Sequence, residues 1–375
     1  MPKLTSAAKS TPIKVVIVTM DGHISAVVDR ARSVLVKELP GLELKVHAAS
    51  DWAERACALA TCKADIASAD IIFANMLFLE EHIQAVLPEL KARQEHCDAI
   101  ACCMSAGEVV RLTRLGGFRM DAPAKSGPLA FLKSLRGSKK TGGAGEQQMK
   151  MLRRLPKILR FIPGTAQDVR AYFLAMQYWL AGSEDNLTNL VRFLVSRYAD
   201  GPRRELRGAV KAALPVEYPE TGLYHPALPQ RFTERPRDIP GSGKHGTIGL
   251  LVMRSYVLSG DTAHFDAVIA ALEARGFRVL TAFASGLDSR PAVEKFFLDG
   301  DRVMVDAVLS LTGFSLVGGP AFNDANAAEE MLARLDVPYV AAHAIELQTI
   351  EQWEGSSRGL MPVESTLMVA IPELD

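Results

Sequence analysis

Apolar residues run almost unbroken through positions 14–20 (KVVIVTM), a β-branched stretch that predicts a strand buried on both faces. From position 24 to 39 the spacing becomes helical. Val27, Val28, Ala31, Val34, Leu35 and Leu39 share one side, and Pro40-Gly41 ends the pattern. Positions 42–48 alternate as a second strand, and Asp51 with Glu54 has the form of a capping box opening a helix through Cys62. A third strand is predicted over 70–76 (DIIFANM), a helix over 79–94 and a fourth strand over 98–104 (DAIACCM). Ser105 with Glu108 fits a second capping box, for a helix ending near Gly116-Gly117. Strands and helices in regular alternation imply a parallel sheet with helices on both faces.

The rhythm breaks near Phe118. Between Arg119 and Arg160 there are eleven Lys or Arg against two acids, Asp121 and Glu146, and Gly137, Gly142, Gly143 and Gly145 punctuate the stretch. That composition predicts a flexible basic loop, with an excess of positive charge suited to docking an acidic partner surface or an anionic ligand. Helical spacing returns over 166–180 and 186–198, carrying Tyr172, Phe173, Tyr178, Trp179 and Phe193. Six prolines between 214 and 246 forbid regular helix and leave extended segments. Strand and helix patterns then alternate again: strands over 247–253, 277–283, 307–311 and 338–342, helices over 263–275 and 325–335. Pro291 stands where a first helical turn would begin.

The fold class is therefore α/β: two parallel-sheet strand–helix units joined by a helical, basic segment and a Pro-rich linker. The expected organisation is a disordered tail over 1–12, an N-terminal α/β domain over 13–118 and a basic loop with helices over 119–213. A linker follows over 214–246, then a second α/β domain over 247–375. The last residues, 368–375, directly follow an apolar strand-like run, so this domain is expected to be truncated.

Composition narrows the function classes. Hydrophobic residues make up 48% and charged residues 23% of the chain, and the formal net charge is zero. The chain as a whole thus offers no electrostatic case for nucleic acid, and no apolar run reaches the ~18 residues a membrane helix needs. Aromatic residues are too few around the basic segment for a base-stacking platform. All five cysteines lie before residue 104, an odd number without framework spacing, which fits reduced thiols in the cytoplasm.

Several strings imitate chemical motifs. Gly241-Ser-Gly-Lys-His-Gly246 follows a proline-rich stretch instead of a strand, and His245 replaces the hydroxyl residue of a phosphate loop. Cys102 and Cys103 are adjacent on a strand and point to opposite faces, which suits core thiols better than one zinc site. Glu80-Glu81-His82 lacks a second histidine one turn on and is expected on a solvated helix face. Cys103-Met-Ser-Ala-Gly107 lacks the first glycine of a nucleophile elbow and any partner base, so Ser105 is expected as a helix cap. No residue is assigned a catalytic or metal-binding role.

Open α/β sheets bind ligands beyond the carboxyl ends of their strands. Asp21 and His23 follow the first strand; Thr312-Gly313-Phe314 and Gly318-Gly319-Pro320 follow a strand of the second unit, and His343 follows the next. Thr312, Gly313, Gly318 and Gly319 are candidate substrate-binding residues, since glycine admits close approach of backbone to a ligand; a plain tight turn is the alternative. Tyr224 and His225, flanked by Pro219 and Pro226, either anchor an extended segment by packing or face a flat aromatic ligand at an inter-domain cleft.

Three blocks then stand in order. Glu220-Thr-Gly-Leu-Tyr-His-Pro226 is followed by Ile248-Gly-Leu-Leu-Val-Met-Arg-Ser-Tyr-Val-Leu-Ser-Gly260 with His264-Phe-Asp-Ala-Val-Ile269, and then by Leu311-Thr-Gly-Phe-Ser-Leu-Val-Gly-Gly-Pro320. Together they resemble the family of magnesium chelatase and cobaltochelatase large subunits, and Val15-Val-Ile-Val-Thr-Met-Asp-Gly-His23 resembles its bacteriochlorophyll branch. The resemblance runs from about residue 13 to the end and is weakest across the basic insert. It implies the N-terminal part of a porphyrin-binding subunit of a complex that inserts Mg²⁺ into protoporphyrin IX. AAA+ motor partners hydrolyse the ATP, and this part binds no cofactor tightly. It also implies that chelating residues lie beyond residue 375, leaving a recognition or docking module inactive alone. A cobaltochelatase-type large chain and a stand-alone flavodoxin-like ligand-binding module are the competing readings.

Overall fold

The computed structural model describes residues 10–20, 22–52, 55–122, 155–241, 243–319, 322–342, 348–361 and 364–365. Residues 1–9 of the expected tail, most of the basic loop, Asp21, His343 and residues 366–375 lie outside the described residues. The chain divides into two compact units, 1–217 and 218–375.

In the first unit, β1 (Ile13–Thr19), α1 (Ser25–Glu38), β2 (Leu42–Ala48), α2 (Ala56–Ser68), β3 (Ile71–Asn75), α3 (Glu80–Arg93) and β4 (Ala99–Cys103) follow the predicted rhythm. The sheet order is β2-β1-β3-β4, all parallel. Alternate side chains of each strand divide between two cores. Val15, Ile17, Ile71, Phe73, Ala101 and Cys103 face one; Val16, Val18, Ile72, Ala74, Ile100 and Cys102 face the other. This two-sided burial is why the strands read as continuous apolar runs.

Beyond β4 the expectation of a helix to Gly116-Gly117 is corrected. A single turn, α4 (Gly107–Val110), leads into a hairpin of β5 (Arg114–Leu115) and β6 (Phe118–Arg119), which extends the sheet antiparallel. Gly116 takes the left-handed φ of 56° that the turn demands. The carboxylate of Asp168 accepts from Gly117 N at 3.0 Å, from Arg197 at 3.0 Å and from the Tyr198 hydroxyl at 3.1 Å, pinning the hairpin. Asp168 belongs to α5 (Ala166–Ala181) and Arg197 and Tyr198 to α6 (Glu184–Tyr198); the two helices cover the Phe73 side of the sheet together with α1. Ser105 caps no helix: its hydroxyl accepts from Leu77 N at 3.1 Å and donates to Cys103 O at 3.1 Å.

The second unit opens inside the proline-rich stretch. β7 (Thr221–Tyr224) and β8 (Phe232–Thr233) join a sheet whose parallel part comprises β9 (Thr247–Leu251), β10 (Arg278–Ala284), β13 (Ala307–Ser310) and β16 (Tyr339–Ala341). Its order is β16-β13-β9-β10-β7-β8, with β7 antiparallel to β10. Numbered along the chain, the parallel strands of the first unit take the order 2-1-3-4, and those of the second take the same order read from the opposite margin. The helices are α7 (Arg254–Ser259), α8 (Ala263–Glu273), α9 (Arg290–Phe296, with Pro291 in its first turn) and α10 (Ala325–Leu335), followed by α11 (Ile350–Gly355). Two small hairpins complete it: β11 (Leu298–Asp299) with β12 (Arg302–Val303), and β14 (Gly318–Gly319) with β15 (Phe322–Asn323). Among the described residues no helix is long and apolar enough to cross a membrane.

Acid should weaken the first unit. Burial lowers the proton affinity of His47 against the pull of Asp65, and burial likewise lowers that of His82. Glu80 and Glu81 lie on the expected solvated face, but His82 is turned inward, edge-on to Trp52 with ring centroids 5.7 Å apart, which corrects the expectation for that residue. Desolvation alone would raise the Asp65 carboxyl, but hydrogen bonds from Lys14 and His47 hold it below its ordinary value. Both imidazoles bind a proton less readily folded than unfolded, so below about pH 6.5 the unfolded chain takes up protons first and stability falls. The Asp65 contribution is present above about pH 4 and is lost as the pH falls further. Urea unfolding should show a midpoint lower at about pH 5.5 than at 7.5, and the double variant His47→Gln, His82→Leu should flatten that dependence.

Candidate functional site

In the second unit the chain runs from β9 outward to β10, then crosses to β13 on the other side of β9. The carboxyl ends of β9 and β13 therefore flank a topological switch point, where neighbouring loops part and leave a crevice. A small depression lies there. Val252 and Met253 line it from the end of β9, Leu287 and Ser289 from the loop after β10, and Thr312 and Phe314 from the loop after β13.

Thr312 is held by its own turn. Its hydroxyl lies 3.1 Å from the Ser310 hydroxyl and accepts from Phe314 N at 3.3 Å, while Gly313 supplies a φ of 70°. Gly318 and Gly319 are placed differently. Both are buried in the β14–β15 hairpin, Gly318 N donates to Leu287 O at 2.8 Å, and a Cβ on Gly319 would collide with the Leu287 side chain. They bring the hairpin against the loop carrying Leu287 and offer no open backbone to a ligand. Among the described residues no titratable side chain lines the depression, which presents apolar surface and a few hydroxyls.

Tyr224 and His225 are not part of this crevice. Because β7 is antiparallel to β10, Thr221 pairs with Ala284 at the carboxyl end and Tyr224 with Thr281 farther back. The segment thus carries His225 toward the amino ends of the parallel strands. Tyr224 is fully buried and His225 almost so. The Tyr224 hydroxyl bonds the Asp266 carboxylate and Thr262, and accepts from Arg231 at 2.7 Å. Burial, with Asp266 beside it, pushes the Tyr224 phenol up to about 12. His225 Nδ1 accepts from Ala227 N at 3.2 Å, so the ring proton sits on Nε2, 3.1 Å from Glu273. Both side chains anchor the extended segment.

Sequence reasoning missed Met253, Leu287 and Ser289 in the depression, and also Arg254, which fixes the approach to β7 by donating to Pro219 O at 2.9 Å and Tyr218 O at 3.1 Å. A usable signal existed for the first of these: Met253-Arg254 directly follows an apolar strand. Cys102 and Cys103 point into opposite cores, and burial raises both thiols far above the ordinary range. Among the described residues no group of three His, Cys, Asp or Glu is placed to hold a metal ion.

Comparison with known proteins adds an independent line. A family described as CobN/Magnesium Chelatase matches residues 176–375, and one described as a domain of unknown function (DUF3479) matches residues 14–173. The magnesium-chelatase H protein of Cereibacter sphaeroides is 52% identical over 373 residues, 99% of this chain and 31% of that protein. Chloroplastic magnesium-chelatase ChlH of Oryza sativa subsp. indica is 36% identical over 328 residues, 83% of this chain and 23% of the relative. Aerobic cobaltochelatase CobN of Sinorhizobium sp is 33% identical over 129 residues, 34% of this chain and 10% of the relative. The chain thus spans about a third or less of the length of these relatives.

Proposed function

Because the chain belongs to the CobN/magnesium chelatase family, we propose that it is the N-terminal part of the porphyrin-holding component of magnesium chelatase. In this reading the assembled complex inserts Mg²⁺, as substrate, into protoporphyrin IX on the way to bacteriochlorophyll, and AAA+ partners hydrolyse the ATP. The observation that carries it is the continuous 52% identity to the Cereibacter sphaeroides chelatase protein along 99% of the chain. Identity to the cobaltochelatase relative covers only 34% of the chain, which favours magnesium over cobalt.

The chain's own share is recognition and docking. Insertion requires removal of two pyrrole protons by positioned bases, whereas the second-unit crevice offers hydroxyls and apolar side chains: surface suited to holding a ring edge, with Thr312 orienting it. The basic stretch between Arg119 and Arg160, mostly outside the described residues, would draw an acidic partner surface by its charge.

A chimera tests the reading. The chain replaces the matching region of the Cereibacter sphaeroides relative and is assayed with that enzyme's partner proteins, ATP, Mg²⁺ and porphyrin. Metallated product is expected from the chimera and none from the 375-residue chain alone. A folded chimera without turnover would refute the chelatase role, and turnover by the chain alone would refute its restriction to recognition.

A further inference from the structure

We propose that the first unit carries a second ring-binding crevice, at the carboxyl ends of β1 and β3, that takes the face of a flat, largely apolar ring system. The choice of a porphyrin as probe rests on the function proposed above; the crevice itself rests on four observations.

The first is topology. The chain runs from β1 outward to β2 and then crosses to β3 on the other side of β1, so β1 and β3 flank the switch point of this sheet. The second is the set of side chains there. Met20 follows β1, Met76 and Phe78 follow β3, and none of the three belongs to either core of the unit. Phe78 is 51% exposed.

The third is how the platform is held. The loops after β3 and β4 are joined by three hydrogen bonds: Met76 N to Met104 O at 3.0 Å, Leu77 N to Ser105 Oγ at 3.1 Å, and Ala106 N to Leu77 O at 2.9 Å. Within this clasp Met76 and Met104 take φ values of 58° and 45°, left-handed conformations in which glycine would be unstrained. Met104 packs on the core, which accounts for its side chain. Met76 does not, and a strained residue outside the core at a strand end points to a role outside folding.

The fourth observation comes from the other unit. At the same topological point Met253 follows the first parallel strand and Phe314 the third, as Met20 and Phe78 do here, and there both side chains line the depression. Thioether and aromatic groups favour the face of a planar ring. Phosphate-bearing ligands are disfavoured. The first turn of α3 carries Glu80 and Glu81, and the turn after β1 has a single glycine, Gly22, in place of a phosphate cradle.

The test titrates the whole chain with deuteroporphyrin IX, read by visible absorbance. Phe78→Ser should weaken binding about tenfold, the scale of one lost aromatic stacking contact, with the urea midpoint unchanged. Met76→Gly should also weaken it while raising the urea midpoint, because it relieves the left-handed strain. Parental affinity in both variants, or no binding by the parent chain, overturns the crevice. Either result leaves the chimera's outcome standing, and a failed chimera leaves the titration standing.

Discussion

Replacing Gly222 by valine is expected to destabilise the second unit by about 3 kcal/mol or more, and by alanine by about 1–3 kcal/mol, the cost of overpacking a closed core. Gly222 stands opposite Phe283 in the antiparallel register of β7 and β10. A Cβ there would lie 2.5 Å from Phe283 Cζ and 3.0 Å from Cε1. The ring is fully buried and sits edge-on to Phe232, so it has nowhere to go. The glycine in the Glu220–Pro226 string therefore marks a ring laid across backbone, and Gly249 does the same beneath Phe297, where a Cβ would meet Cε2 at 2.7 Å. Urea denaturation of Gly222→Ala checks this, and adding Phe283→Leu should recover part of the loss, a coupling a double-mutant cycle isolates. A neutral alanine variant would show that the ring moves freely.

Asn75→Ala should cost the first unit about 3 kcal/mol, because it strands one donor and one acceptor in a dry interior at about 1–3 kcal/mol each. Asn75 is fully buried at the end of β3; in the amide orientation that satisfies both neighbours, its nitrogen donates to Cys103 O at 3.0 Å and its oxygen accepts from the Trp179 indole N–H. That single side chain joins the sheet to α5, where Trp179 also packs on Phe73 with ring centroids 5.1 Å apart. Asn75→Asp keeps the acceptor, loses the donor and buries a charge, so near neutral pH it should be worse than alanine and should recover as acid neutralises the carboxyl. Guanidinium melts of both variants at two pH values decide the matter: equal stability of the two at neutral pH would mean that water reaches the site.

The parallel strands of both sheets were legible, most clearly where burial on two faces writes itself as an unbroken β-branched run, as in Val15–Val18. The Arg114–Arg119 hairpin was not, since two-residue strands carry no periodicity and Gly116-Gly117 signals a helix stop as readily as a turn. β7 lies in the gap between Pro219 and Pro226, long enough to pair, but nothing in the sequence tells that it pairs antiparallel. That direction is what separates Tyr224 and His225 from Thr312, so their residence at different ends of one sheet was beyond sequence pattern. Gly313, named as a candidate for substrate binding with a tight turn as the alternative, takes the left-handed φ of such a turn, whereas Gly318 and Gly319, named beside it, pack against the loop carrying Leu287. Glycine alone does not distinguish a ligand loop from a tight fit between side chains.

The order of the strands also bears on solubility. At one margin each sheet ends in a two-residue antiparallel strand, β6 or β8, too short to template another chain. The opposite margins are less alike. β2 is seven residues long, yet it carries Glu43 and Lys45, and Arg32 donates to its Leu44 carbonyl at 2.8 Å, occupying an acceptor an incoming strand would need. On β16 the side chain at the rim is Val340, 54% exposed. Among the described residues β16 is thus the apolar margin, and a lysine at position 340 is the natural gatekeeper to place there before the protein is concentrated.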